Sequence, residues 1–266
     1  MGTAILWLSR MVSGAMVEIM DKIIKIVLGL FIVLFVAFVA YTCYFGYIGS
    51  IYRSSLSGNY LYTCTIATNG VLTNVTLFLP VPADPKGNSP VVAQISSRDV
   101  TGVPDNMNLT LYDTGKTTLL KVSAKSIGGP AINGITQPAT ITFSVNVSSP
   151  EHIDTRSPVQ NAAVFRPVNG IHTTACSGES VASGRGPVCY KYLTEMYAEY
   201  SSAPSVTVSI DESITGTNTW TIFAPASNAY QNQISVPMMH GSSHGWITTP
   251  GWLESGIGSQ DMSFPS

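Results

Sequence analysis

Residues 139–149 read ATITFSVNVSS, and their alternation decides the fold class. Ile141, Phe143, Val145 and Val147 fall on one face of an extended chain, and Thr140, Thr142, Ser144, Asn146 and Ser148 on the other. That period of two is the mark of a strand with one buried face. The same signal recurs in TNVTLFLP, where Val75, Leu77 and Leu79 share a face, and in MNLTLYD, where Leu109 and Leu111 do.

Worked outward, strand-like runs are expected near 58–67, 72–80, 90–97, 107–113, 117–124, 138–148, 204–210, 218–224 and 232–238, with Gly, Pro and Asn in the turns between them. CYKYLTEMYAEY fits either period, and its aromatic content favours a strand. The spacing predicts a mainly β protein with a β-sandwich, either one large domain or two Ig-like lobes over 54–149 and 160–266. The polar stretch SSPEHIDTRSPVQ, 148–160, then either divides the lobes or forms a long loop within one sandwich.

Composition places this domain. Only 11% of residues are charged, against about 25% in an ordinary soluble domain. Mean hydropathy is +0.24. A net charge of −2 and the lack of a Lys/Arg cluster give no footprint for nucleic acid.

The apolar excess is concentrated. No charged residue occurs from Ile26 to Tyr52, and Lys25 and Arg53 bracket the run. About 20 apolar residues span the hydrocarbon core, so a single transmembrane helix is expected over 23–49. The run is longer than a signal-peptide core and lacks a small-x-small cleavage site, which indicates an uncleaved signal anchor. Lys22 and Lys25 sit at one end against Arg53 at the other, which predicts a cytoplasmic N-terminus and an extracellular domain at the cell membrane. Residues 1–22 have two readings: an interfacial amphipathic helix built on Ile5, Leu8, Val12, Met16 and Ile19, or an extension ahead of a start at Met16 or Met20.

The extracellular reading is consistent with three Asn-x-Ser/Thr sequons, at Asn74, Asn108 and Asn146, all after the helix and all on polar strand faces. Cys176 and Cys189 enclose a stretch rich in glycine and serine, and a disulfide between them suits an oxidising location. Cys64 reads as a buried free thiol, with intermolecular pairing as the alternative, and Cys43 lies in the helix.

Several strings imitate active sites and fail on a required partner. LYDTGKTTLL contains Asp113-Thr114-Gly115, the triplet of an aspartic protease, but only one copy, followed by Lys116; it reads as a hairpin turn. The P-loop ending Gly115-Lys116-Thr117 lacks its first glycine, because Thr110 occupies that place. Asp211, Ser213, Thr215 and Gly216 resemble the start of an EF-hand, but Ile222 stands at the twelfth position, and DESITGTN reads as a hairpin. His240 and His244 have metal-ligand spacing without a helix or a third ligand. No cofactor, metal or catalytic residue is nominated.

One membrane helix, then LTNVTLFLPVP, then YAEYSSAPSVTVSIDESITGTNTWTIF, then HGSSHGWITTPGWLESGIGSQD together resemble uncharacterised archaeal membrane-anchored surface proteins. That resemblance implies a cell-envelope location and no activity. Two function classes are expected: a structural or contact protein of the envelope that meets proteins or glycans, or an extracellular hydrolase or carbohydrate-binding module using a 240–252 loop with His240, His244, Trp246 and Trp252. That C-terminal segment is expected to be the region least covered by sequons.

Overall fold

The computed structural model describes residues 3–115, 117–132, 135–166, 170–176 and 186–259, with side chains of the first helix described from residue 24 onward. That helix, α1 (Thr3–Ser55), contains the expected apolar span. Its segment Ile24–Ser55 has 32 residues and a mean hydropathy of 2.7, and it is exposed through its apolar window. It is long and apolar enough to cross a membrane, and it runs past the expected end at residue 49. Phe31, Leu34 and Phe38 are all well exposed, so a helix apolar on every side is left uncovered by the rest of the described chain. The amphipathic reading of 1–22 concerns side chains outside the described residues.

The rest of the chain forms a separate compact unit. Its first half contains β1 (Ser57–Thr68), β2 (Leu72–Pro80), α2 (Val92–Ser97), β3 (Met107–Asp113), β4 (Thr118–Ile127), β5 (Ala131–Ile132), β6 (Ile135–Thr136) and β7 (Ala139–Ser149). The second half adds α3 (Pro158–Asn161), β8 (His172–Thr174), β9 (Val188–Ser201), β10 (Thr207–Thr221), β11 (Pro225–Ser235), β12 (Met239–His240) and β13 (Ser243–Gly258).

The unit is mainly β, as the alternation predicts, but its strands do not separate into two packed sheets. Eleven of them make one curled antiparallel sheet in the order β3-β4-β2-β9-β13-β11-β10-β1-β7, with β8 beside β9 and β12 beside β10. The two expected lobes interleave: β2 pairs with β9, and β1 with β10. Residues 54–149 and 160–266 therefore contribute to a single sheet. Where its ends approach, Thr101 bridges Ser144 of β7, and α2 packs against both β3 and β7.

The concave side is filled by the chain itself. Ile153, Thr155, Ala162, Ala163, Val164 and Phe165 are each at most 2% exposed, so the 148–160 stretch dips inward at Ile153 and Thr155 and its continuation through 162–165 forms an internal strap, while Glu151, His152, Arg156 and Gln160 stay exposed. Its backbone is held by inward side chains of the sheet. Asn218 accepts from the Ile153 amide at 2.9 Å and donates to the Ile153 carbonyl at 2.7 Å. Asn232 accepts from the Phe165 amide at 2.7 Å and donates to the Tyr192 hydroxyl and the Trp252 carbonyl. Tyr230 donates to the Ala163 carbonyl, and Thr194 to that of Arg166. A buried strap has no neighbouring strand for most of its length, so side chains must satisfy its backbone groups.

Two further sequence expectations change for related reasons. The 90–97 run is the helix α2, because the buried positions are Val91 and Ile95, four residues apart, and not alternate ones. DESITGTN is no hairpin, since β10 passes straight through it. Gly216 is there for space: a Cβ would lie 2.3 Å from the ring of Tyr230, its partner on β11. Gly251 makes the same room for Tyr192 of β9. CYKYLTEMYAEY is a strand, within β9.

Asn232→Ala leaves the Phe165 amide unsatisfied in the interior and removes the bonds to the Tyr192 hydroxyl and the Trp252 carbonyl, and should cost about 3 kcal/mol in chemical denaturation. Asn146→Ala, on the exposed face of β7, should stay within about 0.5 kcal/mol of the parent. Equal effects at the two positions would remove the strap's role in stability.

Candidate functional site

Strands that bury Leu77, Val122 and Ala198 must turn the adjoining residues outward. Sheet register then lines those residues up. Thr110 lies opposite Lys121, Lys121 opposite Phe78, Phe78 opposite Tyr197, and Tyr197 opposite Trp246, a single row across β3, β4, β2, β9 and β13. Tyr112, two residues beyond Thr110, leans onto Phe78 with ring centroids 5.4 Å apart. Phe78 to Tyr197 is 5.7 Å and Tyr197 to Trp246 is 5.6 Å, all edge-to-face. Trp246 is 61% exposed and Tyr112 is 53% exposed.

Charge is interleaved with the rings. The Lys121 ammonium sits 5.7 Å from the Phe78 centroid. The Tyr197 hydroxyl donates to Glu199 at 3.0 Å, and this bond raises the hydroxyl's pKa. The other Glu199 oxygen lies 3.3 Å from His244 Nδ1.

Beside the row is a cleft of about 630 Å³, within the usual range for small-ligand sites. Trp246 forms part of its wall, together with Asp84, Asp113, Arg166 and Glu195. Its shape comes from turns and from the end of the strap. Asp84 accepts from the amides of Lys86 and Asn88 and from the Asn88 side chain, bonds that hold its carboxyl below the usual range despite the opposing effect of desolvation. Arg166, where the strap emerges, donates to the Ala83 carbonyl.

The protease-like string Asp113-Thr114-Gly115 lies on this cleft as the β3–β4 turn. Asp113 Oδ1 accepts from the Gly115 amide at 2.8 Å, Thr114 Oγ1 donates to the Thr117 carbonyl at 2.8 Å, and Gly115 has φ +76°. Lys116 lies outside the described residues.

The 240–252 segment is no loop. His240 is in β12 beside Thr207, while His244, Trp246 and Trp252 are in β13. His244 and Trp246 meet around Tyr197. Trp252 faces a different groove, of about 640 Å³, with the Lys191 ammonium 5.6 Å from its ring. The segment is also closer to a sequon than expected, because Asn74 shares a surface hollow with His244 and Glu199. Asn74, Asn108 and Asn146 are all exposed.

Cys176 and Cys189 form the expected disulfide, with Cα atoms 5.2 Å apart, and most of the enclosed loop lies outside the described residues. Among the described residues, these cysteines and Glu254 are the one metal-like grouping, and both sulfurs are already in the disulfide. Cys64 is buried and free.

Phe78, Tyr112, Tyr197 and Lys121 carry one signal in the sequence, an aromatic or long side chain at an outward parity position, whereas the strand order that brings them side by side has no local signature.

One interior group is notable apart from this face. Glu212, on β10 opposite Cys64 of β1 and Ile234 of β11, is 1% exposed. Burial pushes its pKa up to about 8, partly offset by a 2.5 Å hydrogen bond from Tyr62, and its Oε2 has no hydrogen-bond partner among the described residues.

No protein-family model matches the chain, and neither curated proteins nor solved structures provide a match.

Because the folded state holds a Glu212 proton that an unfolded chain releases from about pH 4.5, stability should be full below that pH and decline as pH rises towards 8. Glu212→Gln carries no such proton and should flatten the decline by an amount on the order of a few kcal/mol. Parallel stability curves for parent and variant between pH 5 and 8.5 would show that Glu212 keeps its ordinary pKa.

Proposed function

We propose that this chain is a single-pass membrane protein that holds its β-domain on the outer side of the cell membrane and works there by contact with the cell envelope. The observation that carries the reading is the ring row Tyr112–Phe78–Tyr197–Trp246, a continuous aromatic strip on the outer face of a sheet whose inner side is filled.

Supporting the location are the apolar span Ile24–Ser55, Lys22 and Lys25 before it, and the Cys176–Cys189 disulfide, which persists in oxidising surroundings. The exposed sequon asparagines suit the same side, and an archaeal surface protein is the source class that the sequence resembles. A domain tethered at one membrane meets the same neighbours repeatedly, so modest contacts at a broad strip suffice.

Protease added to intact cells should remove the chain beyond Arg53, and survival of that region until the membrane is broken would reverse the orientation. A photo-reactive phenylalanine analogue at position 246 should crosslink to an envelope component, whereas the same analogue at Thr142, on the exposed face of β7, should not. Equal crosslinking from both positions would show that the ring row is no special contact face.

A further inference from the structure

We infer that the aromatic row and the adjoining cleft form one binding site for a carbohydrate chain, carried by a neighbouring envelope component. This rests on the contact reading above and names the chemistry of its partner.

The centre of a protein–protein interface is depleted of charged residues. Here charge runs through the middle of the strip: Lys121 lies over Phe78, and Glu199 is bonded to Tyr197 and lies against His244. A partner suited to this face must present apolar C–H surfaces to rings and hydroxyls to charged or polar groups at short, repeated intervals. A chain of pyranose units has that alternation, with C–H faces above and below each ring and hydroxyls around the edge.

The rings support such a ligand geometrically. Three successive contacts of 5.4 to 5.7 Å make a strip several rings long, and their edge-to-face packing fixes each ring against its neighbour. Little side-chain freedom is left to lose on binding.

The cleft supplies the polar end. Trp246 is common to the row and the cleft, so a chain lying along the strip reaches Asp113, Glu195 and Arg166 without a break. Carboxylates accept from sugar hydroxyls, and the guanidinium donates to them. The volume of about 630 Å³ gives room for one or two sugar units at the chain's end. The second groove, at Trp252, faces a different part of the sheet and is not part of this site.

The test uses the full chain in lipid nanodiscs, made in a host that adds no N-glycans so that its own sequons carry no sugar. The probe is cell envelope from the source organism, in three preparations: untreated, protease-digested, and oxidised with periodate, which cleaves vicinal diols. The inference expects retention on untreated and protease-digested envelope, a loss of about tenfold or more on oxidised envelope, and a similar loss for Trp246→Ala, the size expected of one stacking ring. Tyr112→Ala should also weaken retention, and Trp252→Ala should leave it unchanged. These side chains are exposed or half-buried, and near-UV circular dichroism confirms that each variant is folded. Retention that survives periodate and is lost on protease digestion overturns the carbohydrate inference while the contact reading stands. Retention on none of the preparations overturns both, and retention lost with Trp252→Ala but kept with Trp246→Ala moves the site to the other groove.

Discussion

The fold depends on amide and hydroxyl side chains gripping a strand-less piece of backbone inside a curled sheet. Asn218 takes both the amide and the carbonyl of Ile153, Asn232 takes the amide of Phe165, and Tyr230 reaches Ala163. Each of these would be an unpaired polar group in an apolar interior if its partner were absent, and such groups cost more than the bonds themselves contribute. The strap and the inward polar residues therefore stabilise one another or neither is tolerated. Around them the apolar contacts of Tyr62, Ile66, Leu77, Leu120, Phe143 and Ile210 supply the non-directional part of the core.

This arrangement shapes function by elimination. A curled sheet often keeps its concave side for a ligand, but here Val164, Phe165 and Tyr230 occupy that side. The surfaces left open to a ligand are then the outer face and the rim where the strap emerges. Arg166 ends the buried stretch and enters the cleft wall, so the same segment that fills the interior also sets the edge of the candidate site.

How much of this is legible in the sequence follows from what faces inward. β7, β2 and β3 alternate cleanly because their inner residues, such as Phe143, Val145 and Leu77, are apolar. β13 escapes the same reading because Thr249, Gly251 and Ser255 point inward, next to a tyrosine ring or hydrogen-bonded to backbone carbonyls. Asn218 and Gly216 similarly make the middle of β10 look like a turn. The polar 148–160 stretch looks like a linker because its backbone, not its side chains, makes several of the decisive contacts. At the site, outward parity marks Phe78 and Tyr197 one strand at a time, while their alignment arises from pairings between residues more than a hundred positions apart. The apolar helix and the disulfide are legible because each is a local property, a long uncharged run in one case and two cysteines facing each other across a short loop in the other.

Hydrogen exchange at the Ile153 and Phe165 amides tests the account most directly. Both lie outside the strands, yet both donate to buried asparagine oxygens, at 2.9 and 2.7 Å. They should exchange only with global unfolding, as slowly as the central amides of β1 and β10. Rapid exchange at these two positions, typical of an exposed loop, would contradict the account, since it would mean that the strap leaves the interior and that the concave side is open to a ligand.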